Sequence, residues 1–228
     1  MCGDKIFSTL DKKLKDIFQS LRRSWVVVFM ALMFSWPISE SLAGEVWVAN
    51  MKGANVQVID TDSNKVVKTI PTGAGAHNVT FSPDEKLAFI ANLGTNSITI
   101  IDAQSKEILA DVVTDTKAHD VAVSPDGTLA VACNVGAGNI TFIDVASKKA
   151  IHTMATGKKA ITAVFSHNGE TLYVVNAGAA NISVIDVKSK KITGTRQGAK
   201  GAMAIKPTKN WGQFWGTAPA GNKLVLLN

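Results

Sequence analysis

The chain holds 228 residues, 46% of them hydrophobic and 18% charged, with a formal net charge of +6. That apolar fraction excludes a disordered chain and is enough for one globular domain with a substantial core. The basic excess is spread as single lysines in turn-like segments and forms no block, so no specific nucleic-acid binding is expected.

Residues 1–43 stand apart in composition. Lys5, Lys12, Lys13, Lys15, Arg22 and Arg23 precede the uncharged run SWVVVFMALMFSWPIS, which breaks at Pro37 into ESLAG. A basic region, an apolar region and the small residues Ser41 and Ala43 make a secretory signal. The expected mature chain therefore starts at Gly44 and is periplasmic or extracellular. An inner-membrane anchor with the domain facing the periplasm is the competing reading. It rests on KIFSTLDKKLKDIFQSL, which places Ile6, Leu10, Leu14, Ile17 and Leu21 on one helical stripe. Only sixteen uncharged residues separate Arg23 from Glu40, whereas a span takes about 20, and cleavage is favoured. The mature chain would keep one cysteine, Cys133, and no internal disulfide. It would carry 18 basic against 14 acidic side chains.

Residues 44–228 form the repeat domain, whose unit recurs every 42 residues. Asn50, Asn92, Asn134 and Asn176 mark it, and so do Asp60, Asp102, Asp144 and Asp186. Each Asn closes an apolar run (VWVAN, AFIAN, AVACN, YVVN) and each Asp an alternating one (VQVID, ITIID, ITFID, ISVID). A weaker strand such as KVVKTI or KKAIHTM follows, and then a strand such as NVTFSP or DVAVSP that a histidine introduces. Four strands of four to six residues with short links make antiparallel hairpins. In SPDG the Pro and Asp suit the turn, and Gly127 or Gly169 supplies the left-handed residue that starts the next strand. The strand-ending aspartates are read as turn formers, each accepting a backbone N–H two or three residues on. The repeated asparagines are assigned to the Gly-rich hairpin links NLGTN, NVGAGN and NAGAAN.

A tandem four-stranded antiparallel unit of this length is the mark of a β-propeller blade, in an all-β chain. With the histidine-led strand labelled a, the domain begins at strand b (EVWVAN) and ends at strand c of a fifth repeat (NKLVLLN). Eighteen strands are expected, as three full blades flanked by two three-stranded ones. That is about 4.5 blade equivalents, a partial or five-bladed ring. YVVN at 173–176, ISVIDV at 182–187, TIPTG at 69–73 and SPDG at 124–127 resemble the YVTN-repeat family, the YncE-like or 40-residue-repeat β-propellers. The resemblance covers nearly all of residues 45–228. It implies that strand a is innermost and begins near the mouth of a central channel.

On that resemblance His77 and His119, with Asn78 and Asp120 beside them, become the ligand candidates at the channel mouth. One implied role is a haem-d1 or metal-ion pocket, as in the propellers of cytochrome cd1 nitrite reductases or of quinoprotein-type dehydrogenase subunits. The other is structural, with the rings bonding to loop backbone. The later repeats break the pattern at Ile161 and Met203, no C-x-x-C-H is present, and no carboxylate or third histidine recurs beside the pair. No cofactor or metal is therefore expected. His152 and His167 are read as surface residues, and Cys133 as a buried small hydrophobe. Trp211, Phe214 and Trp215 in NWGQFWGT are either an exposed aromatic contact site or the packing of the last blade. With no convergent acid, base or nucleophile, the expected function is non-enzymatic binding or scaffolding in the cell envelope. The expected partner is a protein or an envelope component. A homo-oligomer or a partner chain that completes the propeller is a further expectation.

Overall fold

The computed structural model describes residues 44–198, 201–208, 213–218 and 223–227. The expected signal sequence lies outside them, as does Trp211. Chain contacts separate Met1–Gly44 from Glu45–Asn228, and the described strands lie in the second unit.

Eighteen strands form five antiparallel sheets. The first holds β1 (Glu45–Asn50), β2 (Asn55–Asp60) and β3 (Lys65–Pro71). The second holds β4 (Ala76–Phe81), β5 (Leu87–Asn92), β6 (Ser97–Asp102) and β7 (Ile108–Val113). The third holds β8 (Ala118–Val123), β9 (Leu129–Asn134), β10 (Asn139–Asp144) and β11 (Lys149–Ala155). The fourth holds β12 (Ala160–Phe165), β13 (Thr171–Asn176), β14 (Asn181–Asp186) and β15 (Lys191–Gln197). The fifth holds β16 (Ala204–Pro207), β17 (Phe214–Ala218) and β18 (Lys223–Leu227). Each is a meander of neighbouring strands, three full sheets flanked by two three-stranded ones, as the sequence predicts.

Local chemistry explains the links. At the a–b turn Ser82 donates through Oγ to Asp84 Oδ1 at 2.7 Å and accepts from the Leu87 N–H at 3.0 Å. Ser124 with Asp126, and Ser166 with Asn168, repeat the device. Gly127 and Gly169 sit at φ 72° and 74°, while Glu85 holds the same place at φ 58°. At the c–d turn Asp60, Asp102, Asp144 and Asp186 each accept the N–H of a serine three residues on, at 2.7–2.8 Å. These bonds favour the charged carboxylate and hold all four below the usual range. The outer d strands are mostly exposed and each complete c–d pairing shifts register in its middle, as between Val58 and Ile59 or Phe142 and Ile143. The bulge twists the open edge and blunts further strand pairing.

The asparagines do more than occupy hairpin links. Asn92 is fully buried and its Nδ2 donates across the b–c hairpin to Ser97 Oγ at 3.2 Å and Thr99 Oγ1 at 2.8 Å. Asn134 does the same to Asn139 and Thr141, and Asn176 to Asn181 and Ser183. A short side chain at the end of strand b thus fixes the hairpin from inside. Asn176 Oδ1 also accepts from Thr156 Oγ1 at 3.0 Å. In the preceding sheet the equivalent Thr114 hydroxyl turns to the Asn96 carbonyl instead.

The core lies between sheets. Four clusters join the five in sequence order, with Phe89 and Ala130 in one, Val131 and Leu172 in another. Trp47 packs on the cluster holding Ala88, and Tyr173 shares the last with Phe214. Strand b therefore points one residue back to the preceding sheet and the next residue forward to the following one. Every fully buried Ile, Leu or Phe contributes about 1.5–3 kcal/mol, and these interfaces hold most of them. None of the four clusters contains residues of both the first and fifth sheets.

Candidate functional site at the innermost strands

The a strands β4, β8, β12 and β16 pack against one another in order and line a recess of about 530 Å³. Because the repeat is strict, positions one repeat apart stand side by side. Asn78, Asp120, Thr162 and Ala204 form one such row, spaced by 42, and all four border the recess.

Within that row the side chains bond across the sheets. Asn78 Nδ2 donates to Asp120 Oδ1, and Thr162 Oγ1 donates to Asp120 Oδ2. Asp120 is 7% exposed. Burial pushes its pKa up, and the hydrogen bonds from Thr162, Asn78 and the Val121 N–H oppose that rise. Two rows further along the strand, Thr80 Oγ1 donates to the Val121 carbonyl at 2.8 Å. The carboxylate is a clasp between the second, third and fourth sheets, with both oxygens occupied.

His77 and His119 stand one residue ahead, as adjacent-sheet equivalents. Their ring centroids are 4.0 Å apart at 40°. His119 Nδ1 lies 3.0 Å from the carbonyl oxygen of Ile161, its own equivalent one sheet on. Burial, then the neighbouring His77, hold the His119 pKa below its usual value. His77 is exposed. The ring therefore bonds to backbone, and the pair contact each other. Among the described residues no group of three or more His, Cys, Asp or Glu side chains is placed to hold a metal ion.

The remaining candidates separate. Phe214 is fully buried against Tyr173, centroids 4.6 Å apart, with the Arg196 guanidinium 5.5 Å from the Tyr173 ring and 5.7 Å from the Phe214 ring. Trp215 is 46% exposed on the opposite face of β17. His152 and His167 are exposed. Cys133 is fully buried, and burial pushes its thiol pKa well up. Sequence reasoning missed Thr162 as a partner of Asp120. The 42-residue spacing already carried that signal, since equivalent positions of neighbouring blades must meet at the innermost strand.

Successive antiparallel sheets whose innermost strands share one recess define a β-propeller, as expected from the repeat. The family described as YNCE-like beta-propeller matches residues 45–168, more than half of the chain, and the chain belongs to it. Among solved structures it is similar to Kuenenia stuttgartiensis hydrazine synthase, with TM-score 0.71 and 19% identity over 76% of this chain and 52% of that one. It is also similar to dihydro-heme d1 dehydrogenase NirN in complex with DHE, with TM-score 0.65 and 15% identity over 80% of this chain and 43% of that one. The chain spans about half the length of these structures or less, and the likeness is one of fold. No curated protein matches the chain.

Proposed function

We propose that this propeller is an exported, non-enzymatic binding and scaffold protein of the cell envelope, which presents its mouth loops to a protein or envelope component. The observation that carries the reading is the use of the innermost polar row. Asp120 spends both oxygens on Asn78 and Thr162, and His119 engages the Ile161 carbonyl. These groups stiffen the platform, which leaves the loops in front of the a strands as the contact surface. Those loops carry the exposed Lys117, Lys158 and Lys159, suited to an acidic partner.

The test has two arms. Protein recovered from an envelope fraction should begin at Gly44, and an intact Met1 terminus on the bulk of it would refute cleavage and favour the retained anchor. A membrane-impermeant amine cross-linker applied to cells should give an adduct with an envelope partner. The adduct should disappear in Lys117→Gln/Lys158→Gln/Lys159→Gln, and its persistence there would refute the contact surface.

A redox or cofactor-binding role is the second reading. It is favoured by the paired histidine rings and by the fold shared with NirN, whose structure holds DHE. The binding reading expects a purified protein without visible absorption. A bound chromophore that is lost in His77→Gln/His119→Gln would reverse the order of the two.

A further inference from the structure

The inter-sheet contacts follow one rule. Strand-b positions 47, 89, 131, 173 and 215 are repeat equivalents, occupied by Trp47, Phe89, Val131, Tyr173 and Trp215. The first four point forward into the next sheet. There they share a cluster with the backward-pointing equivalents Ala88, Ala130, Leu172 and Phe214, all fully buried. In two of the four, bulk on one side is matched by a small residue on the other, Trp47 with Ala88 and Phe89 with Ala130. Strand c obeys the same rule: Val56, Ile98, Ile140 and Ile182 are all 0% exposed.

The fifth member of each series breaks from burial. Trp215 is 46% exposed, and Leu224, the equivalent of Ile182, is 66% exposed. Leu226, opposite Trp215 on β18, is 45% exposed. At the other end Val46, the equivalent of Ala88 and Phe214, is 50% exposed, and Val48 is 37% exposed where Ile90 is 0%. The fifth sheet thus shows the strand b and c part of the forward half of the repeated interface, and the first sheet the strand b and c part of the backward half. Trp215 against Val46 keeps the pairing of a large ring with a smaller side chain. Both halves keep the strand b–c register of the four internal interfaces.

We propose that the fifth sheet of this chain packs against the first sheet of a second copy, and that Trp215, Leu224 and Leu226 cover Val46 and Val48 in the manner of a fifth inter-sheet interface. The contact joins two different surfaces, which makes it head-to-tail. It is independent of any ligand at the mouth and of export.

Cysteine pairing tests it in the full chain with Cys2→Ser, since the buried Cys133 is out of reach. Val46→Cys and Trp215→Cys occupy the equivalents of Phe214 and Tyr173, whose rings lie 4.6 Å apart. Facing sheets stand about 10 Å apart, so a bismaleimide of about that reach added to the two variants mixed should give a species of about twice the 24.1 kDa chain mass, and neither alone should do so. No cross-linked pair would overturn the proposal. So would a bond formed only within a chain carrying both cysteines, or cross-linking of Trp215→Cys to a different protein. Separately, Leu224→Asp/Leu226→Asp should lower the light-scattering mass to that of a single chain while retaining the β-sheet circular dichroism. An unchanged mass would count against the contact, and if the variant unfolds, the cysteine arm decides.

Discussion

Asp120 shows how one side chain can couple three sheets. Its replacement by Ala would leave the Asn78 amide and the Thr162 hydroxyl without their buried acceptor, at a cost of about 1–3 kcal/mol. Urea unfolding of Asp120→Ala at neutral pH checks that figure. The pH dependence has a definite sign. A carboxyl raised on folding binds its proton more tightly in the native state, so its contribution is greatest in acid and is lost as pH rises from about 4 through the native value. Asp120→Asn lacks that titration and should gain stability relative to the parent as pH rises across the window. A difference that stays flat with pH would show that Asp120 is not raised. The turn aspartates act in the opposite sense, because their lowered values stabilise the fold above about pH 4 and that contribution disappears in acid. His119, lowered by burial, adds a loss of stability as pH falls through about 6.5. In the binding reading, His77→Gln with His119→Gln leaves partner cross-linking nearly intact.

At the scale of elements the b–c hairpin and the a–b turn carry separable constraints. Asn134→Ala removes the donor shared by Asn139 and Thr141 inside a closed hairpin and should cost about 1–3 kcal/mol, whereas the same change at the half-exposed Asn50, in the end sheet, should cost less. Denaturant midpoints of the two variants give the comparison. In the a–b turn, Glu85 holds a left-handed conformation that Gly127 and Gly169 adopt freely. Glu85→Gly is therefore expected to raise stability and Gly127→Ala to lower it, each by about 1 kcal/mol. Equal effects of the same sign would contradict the turn assignment.

Across the whole unit, stability should be graded from the middle outwards. The strand-b residues Ala130 to Cys133 of the third sheet are fully buried between two neighbours, whereas Val46 and Leu224 stand on faces that no other described sheet covers. Repeat structures gain stability from neighbour contacts, so in the single-chain state amides of β9 should exchange only on global unfolding, and those of β1 and β18 by local opening. Hydrogen-exchange mass spectrometry reads this directly, and uniform protection across the five sheets would contradict it.

The sequence by itself determined the strands, their number, the turn chemistry and the family, because these depend on local rules repeated at a fixed period. Alternation specifies which residues of YVVN or ISVID face a neighbour, and SPDG and the Asp–Ser turns select their backbone conformations within a few residues. Tertiary structure alone decided what each polar group does once blades stand side by side. Whether Asp120 meets Asn78 and Thr162, whether His119 bonds to Ile161, and whether the repeated Asn faces its turn or the interior are questions of contact between distant segments. The separate fates of Phe214 and Trp215 belong to the same class. They are adjacent in sequence and alike in chemistry, yet one is sealed against Tyr173 and the other is 46% exposed, because successive residues of a strand face opposite ways and only one of the two faces meets another described sheet.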